Sequence, residues 1–347
     1  MTATTTTAPG RLRGEGPLRR MFARPEIGAL IGAIAVFLVF AVLAGNKGFL
    51  GGIGIAAFLQ TAAQIGILGA PVALLMIAGE FDLSVGSMIA VSSLFLALLM
   101  SQYGVDPALA VVLTFALALT LGAVNGILVV RTRLPSFLIT LGSMLILRGV
   151  ALAMTREITN QTIVRLPEGA AEHPALRLFT EPLVSVERGV FRVELLWWLG
   201  IVIVGSVILL RTRFGNWTFA AGGSAVAARY VGVPVARVKV ALFMCTAAAA
   251  ALYACIVVPT VGSANVTDGV GKEFQAIITA VVGGTLLTGG YGSVVGSAFG
   301  AFILGATSLG IFYAGINTDW YNAVLGALLL IAVLVNTWVL RRASGTR

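Results

Sequence analysis

The sequence predicts an all-α, polytopic transmembrane bundle of about ten helices, with both termini on the cytosolic side and a hint of internal pseudo-symmetry. Three observations carry this. The 347 residues are 58% hydrophobic and 11% charged, whereas soluble domains run near roughly 45–50% and about 25%. Apolar runs close to the length of a membrane span recur along the chain. The basic residues segregate to alternate connections. So few charges cannot cover a soluble fold, which excludes soluble enzymes, nucleic-acid binders and disordered chains as readings of the whole sequence. The net charge of +9 and a pI near 10.2 then reflect basic loops facing a cytoplasm rather than a nucleic-acid partner.

The elements follow in order. Residues 1–24 are rich in Thr, Arg and Gly, with Arg11, Arg13, Arg19, Arg20 and Arg24 against Glu15 alone; they read as a disordered cytosolic tail. The run 27–44 is long for a secretory leader and is followed by further apolar runs, so it is read as the first span. Spans follow at about 53–78, 87–101, 107–130, 136–154, 195–210, 238–258, 275–287, 294–313 and 321–340. Their Ala, Leu, Val, Ile and Gly content suits helices packed through small residues. They lack the alternation of a membrane barrel. Gln60, Thr61, Gln64 and Pro71 interrupt the second run, which predicts a kinked or broken helix. The run 276–287 is short for a span and ends in Thr288-Gly289-Gly290-Tyr291-Gly292, so a short or re-entrant helix is expected there. The domain organisation is then a tail, 1–24; a transmembrane domain, 25–342, with an outer loop 155–194 and a cytosolic loop 211–239; and a cytosolic tail, 343–347.

Orientation comes from the charges. With the N-terminus inside, the inside segments carry five arginines in the tail, Arg131 and Arg133, five basic residues from Arg211 to Lys239, and Arg341, Arg342 and Arg347: fifteen of 23. The outer loop balances five Arg with six Glu. One place runs against the pattern. Gly79–Gly86 falls inside yet carries Glu80 and Asp82 and no basic residue.

Four features are candidates for function. Gly79-Glu80-Phe81-Asp82-Leu83-Ser84-Val85-Gly86 places two acids in an apolar stretch, where they must face protein or water. It is a polar break facing a substrate path or a partner subunit, a turn in which Asp82 or Ser84 caps the next helix, or both at once, since a cap can also hold a path in shape. Arg148 lies within 137–154 with no charge beside it; it contacts a solute or gate, forms a structural pair, or snorkels outward from late in its helix. In the loop 211–239, a Gly222-Gly223 turn precedes a short helix that Ser224 can cap and Gly232 ends. That helix suits docking or a membrane surface. Finally, the glycines of 283–296 match no P-loop and suit close helix packing. Val85-Gly86-Ser87 recurs as Val295-Gly296-Ser297. Cys245 and Cys255 share one apolar run and read as packing residues, and one histidine, His173, excludes a His-rich metal site.

With these segments placed, the chain resembles the permease subunits of bacterial ABC sugar importers, of the ribose, xylose and galactoside branch, from about Thr61 to Leu340. The stretches that carry the resemblance are Gly79–Gly86, with Glu80 and Phe81 replacing the usual Gly-Ile; Leu134-Pro135-Ser136-Phe137-Leu138-Ile139-Thr140-Leu141-Gly142 with Arg148-Gly149; Gly222–Lys239; and Ala280–Thr285 through Gly290-Tyr291-Gly292-Ser293. The resemblance implies a multi-pass inner-membrane subunit importing a monosaccharide. Its implied partners are a cytosolic ABC ATPase, a periplasmic or lipid-anchored sugar-binding protein, a second permease copy or paralogue, and membrane lipid, with no nucleic acid. It implies no cofactor in this chain, ATP and Mg being used by the ATPase. Gly222, Ala225, Ala228, Arg229, Gly232 and Arg237 then fall in an ATPase-coupling loop, and Gln64, Asp82, Ser84 and Arg148 are candidates for the translocation path. The alternatives are a permease for nucleosides or branched-chain amino acids, and an ion-coupled secondary transporter, which requires intramembrane carboxylates. A membrane enzyme is disfavoured because no catalytic constellation occurs.

Overall fold

The computed structural model describes residues 25–344; the tail at 1–24 and residues 345–347 of the terminal tail lie outside them. The chain begins with α1 (Pro25–Ala44), α2 (Gly52–Ile77), α3 (Val85–Ser101), α4 (Pro107–Thr132) and α5 (Ser136–Thr159). An outer region follows, with β1 (Ile163–Arg165), α6 (Pro174–Thr180), β2 (Pro182–Val186) and β3 (Gly189–Arg192). The second half holds α7 (Glu194–Arg211), α8 (Arg213–Gly223), α9 (Ala225–Tyr230), α10 (Val235–Val261), β4 (Ser263–Asn265), α11 (Lys272–Val282), α12 (Val294–Ala314) and α13 (Tyr321–Ser344). Among the described residues, eight helices are long and apolar enough to cross a membrane.

Two of the ten expected spans fall outside these eight, and the short helix expected near 276–287 is one of them. The helix α3 has 17 residues and is preceded by the non-helical break at 78–84. The helix α11 has 11 residues, about 16 Å at the usual rise, roughly half a bilayer core. Its N-terminus meets the start of α3: a Cβ on Gly86 would lie 2.0 Å from Glu273 Oε2. Its C-terminus meets the start of α12, where Gly283 and Gly296 touch through their backbones. The repeated Val-Gly-Ser therefore opens two helices, each with its glycine where α11 approaches. The expected kink or break at Pro71 takes the milder form: α2 is continuous over 26 residues with Pro71 inside it. Burial of nearly every residue from Ala62 to Ile77 holds the helix together around the lost hydrogen bond.

Caps explain the ends. Asp106 accepts from the N–H groups of Ala108 and Leu109 with Pro107 at the first position of α4, and Arg133 closes that helix in the left-handed region. Burial places α2, α3, α10 and α12 at the centre, while α1, α5, α7 and α13 leave much of their apolar surface exposed. Small residues set the close crossings. Gly122 and Gly126 of α4 lie against Phe243, Val240 and Ala247 of α10, and Gly305 of α12 lies against Phe58 and Ala62 of α2. Outside, β1 pairs antiparallel with β4, Val164 opposite Ala264, tying the outer loop to the end of α10. The β2–β3 hairpin rests on the start of α2, where Gly189 leaves no room for a Cβ beside Gly52.

Candidate functional site

The break between α2 and α3 is the polar centre of the molecule. After Ile77 the chain turns at Gly79, whose φ is 81°, and runs without regular secondary structure to Ser84. Asp82 and Ser84 are almost fully buried. Asp82 Oδ1 accepts from the Ser84 amide at 2.9 Å and the Ser84 hydroxyl at 2.5 Å. Asp82 Oδ2 accepts from Thr246 Oγ1 of α10 at 2.6 Å. Asn125 Nδ2 of α4 donates to Ser84 Oγ at 2.9 Å, and Ser143 of α5 donates to Asn125 Oδ1 at 2.6 Å. The backbone of the break is held as well. The Phe81 amide donates to Ser136 Oγ and the Leu83 amide to Thr140 Oγ1. Ser84 makes no capping bond to α3, and Asp82 bonds within the break rather than to the helix. Helix capping is therefore not what these residues do.

The acid that contradicted the charge pattern has a partner from the basic loop: Lys239 Nζ, near the start of α10, pairs with Glu80 Oε1. Both side chains are largely buried, at 14% and 10% exposure, where a carboxylate is tolerated only when paired. The break thus packs against the segment that carries the inside basic residues.

The loop 211–239 holds two helices. The Arg213–Thr218 stretch read as loop is part of α8, and Gly222-Gly223 form its last residues rather than a separate turn. The α9 helix begins where expected, with Ser224 Oγ accepting from the Ala227 amide, and ends before Gly232, at a φ of 83°. Gly222 is wedged against the break: a Cβ there would lie 1.8 Å from the Ile77 carbonyl oxygen and 2.6 Å from the Gly290 amide nitrogen. The Gly290 amide itself donates to the Ile77 carbonyl at 2.8 Å. Three connections therefore meet at one point on one face.

The coupling candidates divide by orientation. Ala228 is buried with Ala221 and Val235, so it seats α9 on the protein, and Ala225 packs at the edge of the same cluster. Tyr230 and Val231, at 88% and 80% exposure, project outward with Val226; sequence reading passed over all three, although exposed aromatic and branched residues on a basic loop are a legible signal. Arg229 and Arg237 are exposed.

The path candidates do not converge. Asp82 and Ser84 lie together. Gln64, on α2, donates to buried Glu194 of α7 at 3.1 Å. Arg148 lies midway along α5, which extends to Thr159, not late in its helix. Its Nε and Nη2 are buried without a hydrogen-bond partner among the described residues. Two further buried acids, Glu194 and Glu273, were hidden in the sequence because they open helices and read as loop charges.

The family described as branched-chain amino acid transport system / permease component matches residues 54–333. Among curated proteins, the fructose import permease FrcC of Rhizobium meliloti is 30% identical, covering 93% of this chain and 88% of its own. The probable ABC transporter permease YphD of Escherichia coli is 34% identical over 92% and 91%. The ribose import permease RbsC of Bacillus subtilis is 31% identical over 90% and 92%. No solved structure matches the chain.

Proposed function

Because the chain belongs to the branched-chain amino acid transport system / permease component family, and is thus a multi-pass inner-membrane transport subunit, we propose that it carries a monosaccharide in an ATP-driven importer. The observation that carries the sugar assignment is the full-length similarity, at 30% and 31% identity, to permeases named for fructose and ribose. The family description names branched-chain amino acids, so a leucine-like solute is the second reading. ATP hydrolysis is assigned to a separate cytosolic ATPase, with ATP and Mg bound there, and delivery to a soluble or lipid-anchored binding protein. A second permease subunit completes the path.

The contacts support the following mechanism. The exposed face of α9, with Tyr230 and Val231, docks on the ATPase. Movement of α9 is transmitted through Gly222 to the Ile77 carbonyl and the Gly289–Gly290 turn, because no side chain cushions that contact. The break then shifts with its hydrogen-bonded neighbours on α4, α5 and α10. Packed elements of this kind switch between discrete arrangements rather than deforming smoothly. Arg148 supplies donors for solute hydroxyls.

The test is reconstitution in vesicles with the ATPase and binding protein. ATP-dependent uptake of ribose or fructose in excess of leucine and nucleosides is expected. Uptake of leucine alone, or uptake by the permease alone under an ion gradient, would overturn the reading.

A further inference from the structure

We infer that the groove between α4 and α10 is a binding site for one anionic phospholipid of the cytoplasmic leaflet. The groove, about 370 Å³, is lined by Ile127, Val130 and Arg131 of α4 and by Ala236, Arg237, Val240, Ala241 and Met244 of α10. On α4 the spacing is i, i+3, i+4; on α10, Arg237, Val240, Ala241 and Met244 follow i, i+3, i+4, i+7, so each set forms one face of its helix. Arg131 is in the last turn of α4 and Arg237 in the first turn of α10. Both guanidiniums therefore stand at one end of the groove, at the membrane surface. The apolar part runs about 10 Å from there along α10 toward the bilayer interior. This is the shape of a phospholipid: charge at one end, hydrocarbon along the rest.

Charge selects the occupant. Neither arginine has an ion pair or hydrogen bond among the described residues. Arg237 in addition sits at a helix N-terminus, where the dipole disfavours a cation and an anion between the two side chains is favourable. A second copy of this chain could offer little in return. On that face the described acids are Glu26, Glu80 and Asp82; Glu80 is paired with Lys239 and Asp82 is buried. A lipid phosphate meets the charge and the apolar lining together, as in basic pockets between cytoplasmic helix ends. The inference needs only that the chain spans a membrane and does not depend on the solute carried.

The experiment is native mass spectrometry of the purified permease, titrated with phosphatidylglycerol, phosphatidylcholine or inorganic phosphate. The wild type is expected to retain one phosphatidylglycerol in preference to phosphatidylcholine. Arg131→Gln and Arg237→Gln should each weaken that retention about fivefold, and the double variant should abolish the preference. Ala241→Phe, which fills the groove and leaves both arginines, should also lose the lipid. Equal retention of the two lipids by the wild type, or an unchanged preference in the double variant, would overturn the site. So would inorganic phosphate competing fully while Ala241→Phe has no effect. Loss of self-association in the double variant, with lipid retention intact, would make the surface a subunit interface instead.

Discussion

Thr246 donates its hydroxyl to Asp82 across 164 residues of sequence, and this bond joins the break after α2 to the middle of α10. Asp82→Ala would leave the Ser84 amide and hydroxyl without their acceptor in a buried setting and the Thr246 hydroxyl with the Phe243 carbonyl alone. Each such loss costs about 1–3 kcal/mol. Asp82→Ala is expected to lower both the thermal unfolding temperature of the purified permease and sugar uptake, and Asp82→Asn to recover most of the first and less of the second. Wild-type uptake at normal abundance with Asp82→Ala would show that the hub has no transport role.

Glu80 and Lys239 make a reciprocal test possible. Removing one partner leaves the other charge largely buried, a loss of about 3 kcal/mol for fully buried pairs and less here because both groups retain some exposure. Glu80→Lys and Lys239→Glu should each lower the unfolding temperature. The double exchange should regain at least half of the loss, as measured by detergent-solubilised unfolding; no regain would mean that orientation, rather than pairing, sustains the break.

Gly222 and Gly223 form a matched pair of adjacent sites. Gly222→Ala places a methyl 1.8 Å from the Ile77 oxygen, so the backbone must move, whereas a methyl on Gly223 meets nothing within 4 Å. Sugar-stimulated ATP hydrolysis and uptake should fall with Gly222→Ala and stay near wild type with Gly223→Ala. Equal behaviour of the two would remove Gly222 from the transmission path.

On α9 the two faces should separate in a co-purification assay. Tyr230→Ala is expected to weaken capture of the ATPase by the tagged permease without lowering its unfolding temperature. Ala228→Trp overpacks the seat against Ala221 and Val235, a cost of about 1–3 kcal/mol, and should destabilise the permease itself. Undiminished capture by both variants would place the ATPase contact elsewhere.

Topology is checked by reporter fusions. A fusion at Gly345 should score cytosolic and one at Ala170 external, as the distribution of basic residues requires; a cytosolic signal at Ala170 would overturn the orientation.

Composition and order alone determined that the chain is a membrane-embedded helical bundle, because backbone groups in a bilayer must be satisfied within each segment and only helices match these uninterrupted apolar runs. Local chemistry was equally legible: Ser224 and Gly232 bracket α9 because capping and left-handed glycine act within a turn. Tertiary structure alone decided which residues meet. The spanning helices are apolar on nearly every side, so no periodicity marks an inward face. Lys239 therefore gave no sign that it would reach Glu80, nor Thr246 that it would reach Asp82. For the same reason Ala228 and Ala227 read alike, although one is buried and the other exposed. The half-length α11 and the buried Glu273 at its first turn arise because the chain re-enters the bundle from β4 at a depth set by packing against Gly86, a contact between segments distant in sequence.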